Sequence, residues 1–189
     1  MPGSWDSTER RRVGDIAISL RDVHMAHSRH VSATPATQSL RKNGIAFVEH
    51  VYDYVEHGGT AEAARQLGID EHRIVKTLLM QDERGDELVI LMHGDCSVST
   101  RNLARAIGVK TVTPCSPEQA QRVTGYRVGG ISPFGSRKRL PVYAERTVLE
   151  LPRLLINGGR RGYLLEVEPA ALTTLLAAAP VECALRDAA

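Results

Sequence analysis

Short helical segments mixed with several strand-like segments, with no regular strand–helix–strand alternation, predict an α+β domain. A length of 189 residues with 42% hydrophobic content suits a single globular domain with a substantial core. The long loop Thr124–Gly135, with four glycines set among Tyr126, Val128, Ile131 and Phe134, is too apolar for a linker and reads as structured.

The elements follow in chain order. Residues 1–32 are polar, rich in Arg and His and poor in periodic apolar positions, so they are expected to form an extension, flexible or docked on the surface, ahead of a domain over 33–186. Thr34 as N-cap, Pro35 at the first helical position and Gly44 as terminator bracket a first helix. Alternation over Ile45–Tyr52 predicts a strand. Thr60 is read as the cap of a helix through Leu67 that Gly68 ends, and Asp70 starts a short helical turn. The apolar run Ile74–Gln81, the turn 82–86 and Glu87–His93 form a hairpin.

Ser99 opens a helix to Ile107, closed by Gly108, and Val109–Thr113 is a short strand. Ser116-Pro117-Glu118-Gln119 is a capping-box pattern that starts a helix to Val123. Strands are expected at Pro141–Glu145, Arg153–Ile156 and Tyr163–Val167. A helix over Ala170–Ala178 and an edge strand at Val181–Ala184 complete the reading.

Composition narrows the function classes. No apolar run approaches the ~20 residues that cross a bilayer, and Cys96, Cys115 and Cys183 are widely spaced, which suits reduced thiols and a cytoplasmic location. No His/Cys/Asp/Glu set has metal spacing, so neither a metal nor another cofactor is expected. The net charge of +2 says little, but Arg137-Lys138-Arg139 and Arg160-Arg161 cluster beside glycines, where phosphates approach closely. Aromatic residues make up only 4%, so base stacking is not expected as the main binding mode.

Lys76 stands out because nearly every neighbour in Ile74–Met80 is apolar. Its amine must reach solvent, find a partner or lose its charge. It reads either as a guard of an edge strand or as a fixed cation in a pocket. Gly129-Gly130-Ile131-Ser132-Pro133 reads either as a bulge that curves a sheet or as a wall of backbone amides facing a substrate. Asn157-Gly158-Gly159-Arg160-Arg161-Gly162 is a second glycine-rich turn, and His50 and Tyr52 share one face at a strand end.

Taken together these motifs resemble the YbaK/EbsC family, relatives of the editing domain of bacterial prolyl-tRNA synthetases. The resemblance rests on Thr34-Pro35, His50-x-Tyr52, Val75-Lys76-Thr77-Leu78, Val128-Gly129-Gly130-Ile131-Ser132-Pro133, Arg139-Leu140-Pro141 and Gly158-Gly159-Arg160-Arg161-Gly162. It implies a mixed, mostly antiparallel, partly closed sheet with short flanking helices. The implied activity is metal-independent hydrolysis of the ester joining a small wrong amino acid, such as cysteine or alanine, to tRNA(Pro).

By the same resemblance Lys76 is the essential lysine and Gly129 the glycine whose backbone contacts substrate, with Gly130 beside it. Tyr52, Thr77, Ile131, Ser132, Asn157 and Gly158 would border the substrate. The tRNA body would rest on Arg137, Lys138, Arg139, Arg160 and Arg161. Aminoacyl-tRNA is the implied partner, with prolyl-tRNA synthetase or another synthetase presenting it, and neither membrane nor DNA. Leu164 stands where cysteine-specific members carry an aspartate, and His57-Gly58-Gly59 where they carry a bulky aromatic. The competing readings are a non-catalytic regulatory protein that binds tRNA ends or nucleotides, and a hydrolase of other small acyl esters.

Overall fold

The structure, a computed structural model, describes residues 33–186, so the expected extension over 1–32 lies outside the described residues. Helix α1 (Pro35–Lys42) begins as the Thr34-Pro35 pair dictates. The Thr34 hydroxyl accepts from the Thr37 amide, and the Thr37 hydroxyl accepts from the Thr34 amide in return. Strand β1 (Val48–Val51) is shorter than the alternating segment that predicts it. Its partner faces only those four positions, so Ile45 and Phe47 stay outside the ladder. Helix α2 (Gly59–Leu67) has Gly58, not Thr60, at its N-cap position. A 3-10 turn at Glu71–Arg73, capped by the Asp70 side chain, leads into the hairpin of β2 (Ile74–Asp82) and β3 (Glu87–His93).

The remaining elements are β4 (Cys96–Val98), α3 (Thr100–Ile107), β5 (Val112–Pro114), α4 (Pro117–Thr124), β6 (Val142–Glu145), a 3-10 turn (Arg146–Glu150), β7 (Leu154–Arg160), β8 (Tyr163–Val167), α5 (Ala170–Leu176), β9 (Ala179–Val181) and β10 (Ala184–Arg186). Ser99 and Ser116 cap α3 and α4 as expected. The Gln119 side chain does not complete a capping box. It donates instead to Gln81. The expected edge strand at 181–184 resolves into two short strands, β9 and β10.

One mixed, mostly antiparallel sheet runs β1-β8-β7-β2-β3-β6-β9, with β5 pairing on β2, and β4 pairs separately with β10. The β2/β7, β3/β6 and β6/β9 pairs are parallel. Thus β2 lies inside the sheet, between β7 and β3, and Lys76 is no guard of a sheet edge.

Alternation along β2 sets Ile74, Lys76 and Leu78 on one face. Ile74 joins a cluster with Ala63, Ala64, Leu155 and Leu164 beneath α2. Leu78 packs on a larger cluster holding Ile90, Met92 and Leu103 beneath α3. Lys76 therefore sits at the seam between two apolar clusters. Helices α2 and α3 each contribute residues to one of these clusters, and the polar Lys76 side chain falls between them.

Candidate active site

The half-buried Lys76 ammonium donates to the Gly94 carbonyl at 3.0 Å and to the Cys96 carbonyl at 2.5 Å. Gly94 lies in the turn after β3, and Cys96 is the first residue of β4. An ammonium has three N–H donors, so one remains for a further acceptor. The Gly94 carbonyl also lies 3.2 Å from the Thr60 hydroxyl, which donates to Glu71 at 2.7 Å. That hydroxyl is engaged in tertiary contacts, which explains why Thr60 does not cap α2.

The parallel register pairs Ile74 with Leu155 and Val75 with Ile156. The ladder ends there, and Lys76 and Asn157 are the residues that follow its last pair on the two strands. The Asn157 side chain organises the turn after it, accepting from the Gly159 amide at 2.8 Å and the Arg160 amide at 3.2 Å. Its amide group donates to the Gly129 carbonyl at 3.2 Å. Asn157 thus connects the lysine row to the glycine loop. Leu164 pairs with both Asn157 and His50 in the antiparallel ladders, and Tyr52 packs on the same cluster. The floor of this face is apolar at Leu164 and polar at Lys76 and Asn157. Burial, with Tyr54 nearby, raises the Tyr52 phenol above its ordinary range, so it stays protonated and able to donate.

The loop over 124–136 is held from within. The Tyr126 hydroxyl donates to the Phe134 carbonyl at 2.7 Å, and burial pushes its pKa up to about 12. The Gly130 amide donates to the Arg127 carbonyl at 2.9 Å, so it is not available to an oxyanion as the sequence suggested. The Gly129 N–H has no internal acceptor among the described residues. Gly129 adopts φ +85, a left-handed conformation that glycine accepts at little cost.

Other expected site residues lie apart from this face. Thr77 alternates to the opposite side of β2 from Lys76, with its hydroxyl oxygen buried and unpartnered. Ser132 is fully buried, and its hydroxyl accepts from the Phe134 amide inside the loop, while Ile131 is half-buried beside it. The Gly158 carbonyl accepts from the Thr34 hydroxyl at 2.6 Å and ties β7 to the start of α1. His50, by contrast, is on the Lys76 face, opposite Leu164 in the ladder, and is engaged with Glu166 at 3.1 Å.

The basic residues also divide. Arg161 donates from Nε to the Val128 carbonyl at 2.9 Å and stacks on Tyr54, while Arg160 lies over Tyr163. Lys138 pairs with Glu87 at 2.6 Å, opposite Gln81 in the hairpin register. Gln81 lies five positions beyond Lys76, roughly 16 Å at the rise of a strand. Arg139 lines a separate cavity of about 370 Å³ with Tyr143 and Leu176. Lys138 and Arg139 are thus engaged away from Arg160 and Arg161, whereas the Arg137 side chain packs on Gly125 in the glycine loop.

The structure also gathers a set that linear spacing does not reveal. Ligand atoms of His72, Asp95 and Cys96 lie within 4.8 Å of one another. The Asp95 carboxylate is already bonded to His72 Nδ1 at 2.9 Å, and the Lys76 ammonium rests on the carbonyls on either side of Asp95. That positive charge opposes a bound cation. The His72 ring stacks on His93 at 3.7 Å.

His93 Nδ1 lies 2.7 Å from the His72 carbonyl, which can only accept, so Nδ1 carries the proton. Nε2 then accepts from the Thr147 hydroxyl at 2.8 Å. Burial holds the His93 pKa below its ordinary value near 6.5, although the His72 carbonyl, Asp95 and Glu145 pull the other way. As pH falls, the unfolded chain takes up this proton before the folded one does. Stability is therefore full above about pH 6.5 and declines as pH falls below it. Melting temperature is expected to drop between pH 7 and 5, and His93→Gln to flatten that drop. A wild-type protein with constant melting temperature over that range would show that His93 is not held neutral.

A family profile described as an aminoacyl-tRNA editing domain matches residues 56–175. A protein of Enterococcus faecalis with the provisional name Cys-tRNA(Pro)/Cys-tRNA(Cys) deacylase EbsC is 28% identical over 152 residues, covering 80% of this chain and 93% of that protein. The proline–tRNA ligase of Moorella thermoacetica is 32% identical over 114 residues, covering 58% of this chain and 19% of the ligase. Among solved structures, one described provisionally as a trans-editing enzyme for prolyl tRNA synthetase superposes with a TM-score of 0.69 at 24% identity. It covers 83% of this chain and 100% of its own.

Proposed function

This chain belongs to the aminoacyl-tRNA editing domain family, and from that membership we propose that it is a trans-acting hydrolase of mischarged tRNA, removing a small wrong amino acid such as cysteine or alanine from tRNA(Pro). The observation that carries the reading is the Lys76 ammonium, held by two carbonyls at an apolar seam with one N–H to spare, beside Asn157 and its link to Gly129.

An aminoacyl ester is already activated, so holding water in line and stabilising the developing oxyanion suffice. In this mechanism the spare Lys76 N–H donates to the ester carbonyl or the terminal phosphate. The Gly129 amide faces the oxyanion, and Gly130 acts by holding the loop in place. The free ribose hydroxyl of the terminal adenosine orients the attacking water. Tyr52 and Leu164 border the amino-acid side chain, a largely apolar floor for a small residue. Such selection by size is weak, about 1–3 kcal/mol per methylene, and suits a second sieve downstream of a synthetase. The reaction needs no metal.

The test is deacylation of a panel of mischarged tRNAs. Alanine or cysteine should leave tRNA(Pro) well above the spontaneous rate, with prolyl-tRNA(Pro) spared. Reversing charge at Arg160 and Arg161 should weaken tRNA binding more than reversing Lys138. No release from any charged tRNA would leave the regulatory reading. Equal turnover of free amino-acid esters, indifferent to Arg160 and Arg161, would identify a general esterase.

A further inference from the structure

Beside the glycine loop the surface carries a preorganised stack that the reaction scheme above does not use. Tyr54 is 38% exposed, and the Arg161 guanidinium lies over its ring with Cζ 4.9 Å from the ring centroid. The guanidinium is fixed by its Nε bond to the Val128 carbonyl, and its two Nη groups meet no acceptor among the described residues. A Cβ at Gly129 would stand 3.2 Å from both the Tyr54 hydroxyl and Arg161 Nε, so the stack abuts the residue that Asn157 connects to the lysine row. Val55 and Val128, both exposed, extend the apolar rim.

We propose that Tyr54 and Arg161 seat the unpaired 3′-terminal nucleotides of tRNA, one base extending the stack while an adjacent phosphate takes the free Arg161 Nη donors. The proposal rests on the editing reading for the identity of the RNA. The chemistry favours a nucleotide because a flat aromatic–guanidinium pair offers a stacking surface, and fixed N–H donors at its edge suit a phosphate. Holding the terminal base there would set the ester, carried on the ribose of the same nucleotide, against the Lys76 face. The low aromatic content of the chain is no obstacle, since a single well-placed ring suffices.

The experiment titrates the full chain against an uncharged oligoribonucleotide ending in CCA, with 2-aminopurine replacing the terminal adenine, and reads quenching of its fluorescence. Tyr54→Phe should bind like the wild type. Tyr54→Ala should weaken binding roughly tenfold to a hundredfold and lose most of the quench. Arg161→Ala should weaken it too and reduce the salt dependence by close to one phosphate contact. Arg161→Lys, which keeps the charge without the plane, should restore the salt slope but not the quench. The wild type should bind an oligonucleotide lacking the terminal base as weakly as Tyr54→Ala binds the intact one. If Tyr54→Ala fails to fold, Tyr54→Leu, which fills the space without a π-face, takes its place.

Wild-type quenching retained in Tyr54→Ala, or in Tyr54→Leu in its place, would overturn the seat even if deacylation is robust. Stacked binding by a wild type that deacylates no charged tRNA would uphold the seat and overturn the hydrolytic reading instead.

Discussion

Lys76→Ala is expected to lower kcat for deacylation of mischarged tRNA by about 100- to 1000-fold, the usual effect of removing one stabiliser of a developing oxyanion. The fold should survive. The Gly94 carbonyl keeps the Thr60 hydroxyl nearby and Cys96 stays in the β4–β10 ladder, so losing the lysine contacts costs about 1–3 kcal/mol. For a domain of this size each kcal/mol lowers the melting temperature by roughly 2–4 °C. Lys76→Met fills the seam with an apolar chain of similar length and should lose activity equally, which separates the ammonium from its packing. Because β2 is an interior strand, protection against edge pairing is no alternative reason for the lysine. Activity within tenfold of the wild type in a folded Lys76→Met protein would remove the residue from the reaction.

The helices were legible wherever a cap is local. Thr34-Pro35, Ser99 and Ser116-Pro117 each act within three residues, so the motif carries its own partner. Thr60 misleads because its hydroxyl is engaged by Glu71 and Gly94, which are remote in sequence. Strand β4 carries no periodic signal in three residues and exists because β10 pairs with it from the far end of the domain.

The same division runs through the site. A lysine in an apolar run announces itself, but its carbonyl partners, Gly94 after β3 and Cys96 at the start of β4, do not. The glycine loop is conspicuous, yet only the turn geometry reveals that the Gly130 amide is already bonded to Arg127. Tyr54 escaped notice because it sits in a loop, where alternation assigns no face, and the arginine that completes its stack is remote in sequence. The basic clusters looked equivalent as strings and separate only when Lys138 is found on Glu87. Leu164 drew attention as a departure from an acidic position. The structure gives it a second duty, in the cluster beneath α2.

Gly130→Ala is expected to lower kcat/KM by about 100-fold, through displacement rather than loss of a contact. Gly130 is buried, and a Cβ there would lie 2.9 Å from the Arg161 nitrogen and 3.0 Å from the Arg160 carbonyl carbon, both main-chain atoms that cannot rotate aside. The turn carrying them is pinned by Asn157, so the loop is the part that must retreat. A shift approaching 1 Å at the reacting groups costs about that factor. Overpacking should add about 1–3 kcal/mol of destabilisation, several degrees in melting temperature. Gly129→Ala makes the informative contrast. Its Cβ meets only the ends of Arg161 and Tyr54, which can swing away, although φ +85 strains any L-residue by about 1–2 kcal/mol. Swinging those groups dismantles the proposed nucleotide seat, so Gly129→Ala should raise KM more than it lowers kcat, while Gly130→Ala should do the reverse. Steady-state kinetics beside calorimetric melting would read both. If Gly130→Ala proved as active as the wild type despite its lower melting temperature, the loop would be a structural brace, and the oxyanion would have to be met by Lys76 alone.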